Sequence, residues 1–197
     1  MPLLDRISDH FRASAQTKLD SAEILAPAIE NAARLLVHCL AQGGKVLTCG
    51  NGCSAANAQH FASVMINRFE QERPGLAAIA LTTDTLTVTS IANDSAYEQV
   101  FARQVKALGQ PGDVLLVIST RGNSHSILQA VDAARSRSMM VIALTGHTGG
   151  GLAEQMQDDD VFLCVPAESR ARIQEVHLLA IHCLCDAVDS VLLGVEE

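Results

Sequence analysis

From Lys45 onward, short apolar strands alternate with helical segments, and this alternation restricts the fold more than any other feature. Apolar runs without a polar face are typical of strands that are buried on both sides of a parallel sheet. Helices that join such strands make right-handed crossovers and cover both faces of the sheet. The predicted strands are residues 45–50, 77–81, 114–119, 139–144 and 161–165. The pattern therefore predicts an α/β fold with a parallel sheet between layers of helices.

Helical spacing of apolar residues occupies the segments between these strands and both ends of the chain. We expect helices at 55–69, 97–108, 124–137, 151–157 and 169–193. Residues 2–42 predict two helices, divided near Ala26 and Pro27, because proline disfavours a helix interior. No linker or repeat separates a second unit. The expected organisation is a single domain over 1–197, with an N-terminal helical segment (1–42) and an α/β core (43–197).

Two of the predicted strands end in small polar residues that lead directly into a helix. Backbone N–H groups and hydroxyls converge at such a turn, at the positive end of the helix dipole, and favour a phosphate group. In the alternative interpretation, serine and asparagine only cap the helices. Two turns at the carboxyl edge of one sheet favour an anionic sugar ligand. The residues concerned are Asn51, Gly52 and Ser54 at the first turn, and Ser119, Thr120, Arg121 and Ser124 at the second.

Charge and composition exclude several other classes of function. The chain has 14 Lys and Arg against 22 Asp and Glu, a formal net charge of −8, which argues against direct binding to nucleic acid. We see no signal peptide and no apolar run of the ~20 residues that a membrane span needs. The six cysteines match no zinc-binding spacing and suit a reducing compartment. A cytoplasmic protein without membrane contact is expected.

Several motifs in order along the chain resemble the SIS (sugar isomerase) domain family. They include CGNG at 49–52, AQHF at 58–61, ISTRGNS at 118–124 and RIQE at 172–175. The resemblance is to the branch that holds phosphoheptose isomerase and the replication-initiation protein DiaA. It implies a flavodoxin-like three-layer α/β/α sandwich with a five-stranded parallel sheet. It also implies a homotetramer that assembles through the N-terminal helices and binds a phosphorylated sugar.

The resemblance further implies which residues contact the sugar phosphate. These are Asn51, Gly52, Asn93, Asp94, Ser119, Thr120, Ser124 and Gln174. Position 121 is serine in typical isomerases and is Arg121 here. An arginine at this place adds a bidentate contact to phosphate, crowds the turn or faces a partner.

One position departs from the isomerase pattern, in which a histidine is followed four residues later by a metal-binding, catalytic glutamate. His60 is kept, but Val64 stands at the glutamate position and cannot take up a proton. His182 matches the second acid–base histidine, and it would be catalytic in an isomerase. His60, Gln174 and His182 form a poor zinc set because none is anionic. Both histidines are alternatively explained as hydrogen-bonded residues of the core.

These departures, together with STRGNS at 119–124, favour a non-catalytic, DiaA-like tetramer. Such a protein would bind the initiator DnaA, promote chromosomal replication initiation and need no cofactor. The alternative is a phosphoheptose isomerase that converts sedoheptulose 7-phosphate to D-glycero-D-manno-heptose 7-phosphate for lipopolysaccharide synthesis. Zinc would accompany the isomerase.

Overall fold

The fold begins with a helix that is much longer than the others. In the computed structural model, which describes residues 1–194, helix α1 spans Leu3–Ala41 without a break. The expectation of two helices divided near Ala26 and Pro27 is therefore wrong. Pro27 removes one backbone donor, but buried side chains on both sides of it, including Leu25 and Ala32, hold the helix against the core.

Strands and helices alternate over the rest of the chain. In order they are β1 (Val46–Gly50), α2 (Cys53–Ile66), β2 (Ala78–Ala80), α3 (Thr85–Asp94), α4 (Ala102–Leu108), β3 (Val114–Ser119), α5 (His125–Ser136), β4 (Met140–Gly146), α6 (Gly150–Gln155), β5 (Val161–Val165) and α7 (Arg170–Leu193). A short 3-10 turn, Tyr97–Gln99, precedes α4. All five predicted strands are present.

The five strands form one parallel sheet in the order β2-β1-β3-β4-β5. Strand side chains alternate between two apolar layers. Val114 and Leu116 face the layer built by α1, α2 and α7, whereas Leu115 and Val117 face α4, α5 and α6. The predicted flavodoxin-like three-layer sandwich is confirmed.

Helix α3 was not predicted from the sequence. Its sequence, TLTVTSIAND, is rich in β-branched residues, which lose side-chain freedom in a helix. Asp84 compensates at the start of the helix, because its carboxylate accepts hydrogen bonds from the backbone N–H and the hydroxyl of Thr87. The predicted helix 97–108 is shorter, and its first residues form the 3-10 turn.

A buried ion pair joins the segment after α2 to the end of α7. Arg73 Nε lies 2.5 Å from Asp189 Oδ1, and the two side chains are 2% and 6% exposed. The same guanidinium donates to the carbonyl oxygens of Val64 and Met65, in the last turn of α2. Arg73 therefore satisfies acceptors that the end of α2 leaves without helical partners.

By length and composition alone, two helices could span a membrane, which differs from the expectation that no segment could. Helices α1 and α7 each contain an 18-residue window that is apolar enough to do so, with mean hydropathies of 1.3 and 1.7. Within the fold, 44% of the α7 window is buried. A helix that packs inside a protein core meets the same criteria, so this composition is weak evidence for a membrane span.

Candidate active site

The two predicted turns meet where the chain changes direction across the sheet. Strands β1 and β3 are neighbours, with Gly50 paired to Ile118 at their carboxyl ends. From β1 the chain proceeds outward to β2, whereas β4 and β5 extend from β3 toward the opposite edge. Such a reversal opens a crevice between the loops of the two central strands, and ligands of α/β proteins bind there.

Asn51 bridges the two turns. Its Nδ2 group donates to Ser124 Oγ at 2.7 Å and to Ser126 Oγ at 2.9 Å. Its Oδ1 accepts a hydrogen bond from Tyr97 Oη at 2.8 Å. The amide thus holds the β1 turn, the start of α5 and the 3-10 turn in one network. Asn51 and Ser124 were predicted as site residues, whereas Ser126 and Tyr97 were not.

The loop from Ser119 to Ser124 packs against three consecutive glycines, residues 149–151. Gly122 has φ +68°, and a Cβ atom there would lie only 1.7 Å from the carbonyl oxygen of Gly149. Asn123 Oδ1 accepts from Gly151 N–H, and the Gly122 carbonyl accepts from Leu152 N–H. Backbone packing and hydrogen bonds to the protein therefore determine the loop conformation.

Neither Ser124 nor Asn123 caps helix α5. The Ser124 side chain makes no capping hydrogen bond, since its hydroxyl bonds Asn51 instead, and the Asn123 side chain bonds Gly151. Within residues 1–194, the backbone N–H groups of Ser124, His125 and Ser126 have no protein acceptor. The capping interpretation of this turn is therefore wrong. The first turn of α5 presents free donors, as an anion site does.

A polar cavity of about 290 Å³ opens over this loop. It is lined by Ser119, Thr120, Arg121, Asn123, Ser124 and Arg170. Arg170 is the first residue of α7 and approaches the loop from 46 or more positions away in the sequence. No local pattern marks it, so it could not be predicted from the sequence.

The other predicted sugar-contact residues surround these two turns. Gly52 (φ +57°) precedes α2, and Ser54 is buried in its first turn, with its N–H bonded to the Asn51 carbonyl. Asn93 and Asp94 end α3, are exposed and are hydrogen bonded to each other at 3.1 Å. The Tyr97–Asn51 bond ties the segment that follows them to the site.

His60 and His182 are brought together from α2 and α7. Their Nε2 atoms lie 3.0 Å apart, the rings are edge-to-face at 66°, and Phe69 packs beside His182. Burial, and then the charge that His182 can carry, lower the pKa of His60. One imidazole must donate and the other accept across 3.0 Å, so the pair holds a single proton between the two nitrogens.

Val64 lies one helical turn beyond His60, half-buried against the apolar layer of α1 and α7. Gln174 lies two turns before His182 on α7, at a spacing that places both on one helix face. Among residues 1–194, no group of three or more His, Cys, Asp or Glu side chains could hold a metal ion. This donor set does not fit the usual zinc site, which draws on thiolate, imidazole or carboxylate ligands.

Comparisons with known proteins identify the family and the fold. A sequence model of the SIS domain matches residues 10–146. The phosphoheptose isomerase of Thiobacillus denitrificans is 78% identical over 197 residues, the full length of both chains. The solved structure of a phosphoheptose isomerase from Francisella tularensis is 51% identical, has a TM-score of 0.94 and covers 96% of this chain and all of its own. That of the Neisseria gonorrhoeae enzyme is 49% identical with a TM-score of 0.92, at the same coverage.

These relatives correct the functional expectation drawn from Val64 and the STRGNS segment. The expected non-catalytic, DiaA-like protein that binds DnaA is wrong, because the full-length relatives at 78% and 60% identity are phosphoheptose isomerases. Nothing in the comparisons points to DnaA or to replication initiation.

Proposed function

The chain belongs to the SIS domain family, and from this premise we propose that it is a phosphoheptose isomerase. Its substrate would be sedoheptulose 7-phosphate and its product D-glycero-D-manno-heptose 7-phosphate, a precursor for lipopolysaccharide. The observation that carries the proposal is the pairing of a preformed anion site with two imidazoles on helices of the same fold. The isomerases that match the full chain support it.

The free donors at the start of α5 would hold the phosphate. Ser119, Thr120 and Ser124 add hydroxyls to the N–H groups of the first turn, and the Asn51 network keeps these groups in place. A sugar phosphate anchored there would extend past the β1 turn and along α2 toward His60. Anchoring by a non-reacting group turns proton transfer at the other end of the sugar into an intramolecular step.

The His60–His182 pair would move the proton that isomerisation requires. A neutral imidazole takes a proton from C1 of the ketose, which gives an enediolate, and the imidazolium returns the proton to C2. The hydroxyl proton of O1 passes to O2, so atoms and charges balance. The lowered pKa of His60 keeps its ring neutral near pH 7, in the form that a general base needs.

No metal step enters this proposal. The side chains of His60, Gln174 and His182 provide two imidazoles and a neutral amide, and Val64 supplies no ligand. Proton transfer is assigned to the imidazole pair because these are the groups that the chain places at the site.

We further propose a cytoplasmic homotetramer. Apolar side chains along the N-terminal half of α1 are largely exposed in a single chain, including Leu4 at 73%, Phe11 at 76% and Leu19 at 66%. A row of this kind on one helix is typical of a surface that packs against another copy. Sedimentation equilibrium would test the assembly, and a monomer at micromolar concentration would contradict it.

The test of the enzymatic proposal is direct. Purified protein is incubated with sedoheptulose 7-phosphate, with and without added zinc, and heptose 7-phosphate is followed by chromatography. Turnover on the order of 1 s⁻¹ or faster, within the usual range of enzymes, supports the proposal. His60→Gln and His182→Gln are the matched variants, and each should lose most of the activity. Wild-type turnover no faster than that of either variant would overturn the assignment.

A further inference from the structure

Two arginines line the phosphate cavity and take no part in the proposed proton transfer. Arg121 follows β3 and Arg170 begins α7, and both line the cavity over the Ser119–Ser124 loop. Resting on the proposed function, we propose that they form a clamp on the phosphate group and select doubly ionised phosphate ligands over singly charged ones.

Neither guanidinium is engaged elsewhere in the described part of the chain. Within residues 1–194, Arg121 and Arg170 form no ion pair and their side chains make no hydrogen bond to protein. Arg172 is a clear contrast, because it lies two residues further and bonds both Glu175 and the His10 carbonyl at 2.5 Å. The two guanidinium groups have no protein partner and lie beside N–H groups that have no acceptor. Together these donors favour the binding of an anion.

The backbone that carries Arg121 is rigid. A Cβ atom on Gly150 would lie 2.4 Å from the Arg121 carbonyl oxygen, so the two loops touch at the backbone. Gly122, the next residue, is packed more tightly still, since a Cβ atom there would lie 1.7 Å from the Gly149 carbonyl oxygen. The Cα atom of Arg121 is thus held in place, and only its side chain must be ordered when a ligand binds. This lowers the entropic cost of the contact.

Arg170 lines the same opening and belongs to a different element, helix α7. It is exposed, and it begins a helix of 24 residues whose N-cap residue, Ser169, makes no side-chain capping bond. A phosphate bound to the loop would therefore meet one guanidinium from the loop after β3 and another from the start of α7. Guanidinium groups match phosphate oxygens in pairs, and the attraction increases with the second negative charge.

Charge selection follows from this arrangement. Neutral donors such as hydroxyls and N–H groups distinguish a dianion from a monoanion only weakly, whereas two fixed positive charges favour the dianion strongly. A phosphate monoester has its second pKa near 6 and is mostly dianionic at pH 8. A sulfate ester of the same sugar is a monoanion at every pH of interest.

The experiment measures binding rather than turnover. Isothermal titration calorimetry at pH 8 is performed in the His60→Gln background, which should not convert the substrate appreciably, with inorganic phosphate, with sedoheptulose 7-phosphate and with the corresponding 7-sulfate. Arg121→Ser and Arg170→Ala are compared with Arg103→Ala, which removes an exposed arginine that does not line the cavity. Each cavity variant should weaken phosphate binding about 10-fold, as expected for a lost charge-assisted hydrogen bond. The preference of phosphate over sulfate ester should shrink by a similar factor.

Arg121→Lys and Arg170→Lys separate geometry from charge. Lysine keeps the charge but not the planar fork, so part of the lost affinity should return. Thermal melting of all variants should stay close to wild type, since neither arginine has a protein partner to lose. Phosphate affinities within about twofold of wild type in both cavity variants would overturn the clamp. Absence of turnover with intact, arginine-dependent phosphate binding would overturn the proposed function alone.

Discussion

The Nε2 atoms of His60 and His182 lie 3.0 Å apart across a sequence separation of 122 residues. At this distance a positive charge on His182 disfavours a positive charge on His60. Their separation allows one shared proton and disfavours two. This relationship connects the electrostatics of the site to its chemistry.

The shared proton predicts a low pKa for His60. Burial, followed by repulsion from a charged His182, lowers this pKa below 6.5. In the His182→Asn variant the second cause is removed, so the His60 pKa should rise toward 6.5. NMR titration of the ring Cε1–H signals measures the His60 pKa in the wild type and in the variant. A His60 pKa at or above 6.5 in wild type would contradict the assigned environment.

Val64→Glu should create a metal site. Residue 64 lies one turn beyond His60 on the same face of α2, so a carboxylate there would join the two imidazoles as an anionic third ligand. Zinc affinity, measured by competition with a chromophoric chelator, should increase at least 10-fold. Ser63→Glu is the matched control, since it adds the same charge one position earlier on an exposed face. Equal zinc affinity in the Val64→Glu and Ser63→Glu variants would contradict the prediction.

Asn51→Ala should weaken binding of sedoheptulose 7-phosphate about 10-fold, a cost in the range of one or two lost hydrogen bonds. The variant frees the Ser124 and Ser126 hydroxyls from their common donor, so both must be ordered when the phosphate binds. Tyr97→Phe removes only the bond to Asn51 Oδ1 and should have a smaller effect. Gln129→Ala, which loses an exposed bond to Gln99, serves as the control in calorimetry. Unchanged affinity in Asn51→Ala would show that the network is structural only.

His177 predicts acid sensitivity of the whole fold. It is fully buried, its Nε2–H donates to the Thr145 carbonyl at 2.9 Å, and burial lowers its pKa to about 4. The unfolded chain takes up this proton below pH 6.5, whereas the folded chain resists it down to about 4. Stability should therefore fall by roughly 3 kcal/mol as the pH drops through this window.

Urea unfolding between pH 4 and pH 7 measures the effect. His177→Gln should flatten the slope, whatever its stability at pH 7, because the glutamine does not titrate. His125→Gln, at a largely exposed histidine, should leave the slope as in wild type. A His177→Gln slope equal to that of wild type would assign the acid sensitivity to other groups.

The Arg73–Asp189 pair predicts a strong loss when only one partner is removed. Arg73→Met leaves the Asp189 carboxylate buried and uncompensated, and about 3–5 kcal/mol of stability should be lost. The double variant Arg73→Met, Asp189→Leu should recover a large part of this loss. Arg34→Met, at the exposed Arg34–Glu30 pair of α1, should cost under about 1 kcal/mol. Additive effects of the two substitutions in urea unfolding would rule out the coupling.

The alternating pattern of the sequence was sufficient for the sheet, and strands β3 and β5 begin and end at the predicted residues. Buried parallel strands are recognisable because both faces are apolar. Prediction failed where tertiary packing overrides local preference. Pro27 lies inside α1, and the spacing of apolar residues did not indicate helix α3, which is rich in β-branched residues.

In the candidate site, too, some residues could be predicted from local sequence and others depend on tertiary packing. Asn51 and the Ser119–Ser124 loop could be predicted because strand ends and helix starts have local signatures. Arg170 and the His60–His182 contact could not, because they depend on how α7 packs against distant elements. Val64 marks where the chain departs from the isomerase pattern, but one position on a helix could not decide the function of the whole chain.

The length of α1 has a consequence for how the protein would behave as it is diluted. A helix of 39 residues is about 58 Å long, more than the sheet beneath it can cover. Its exposed apolar side chains have no complete cover within their own chain. The cost of leaving them in water decreases whenever copies meet, so the melting temperature should climb with the logarithm of protein concentration.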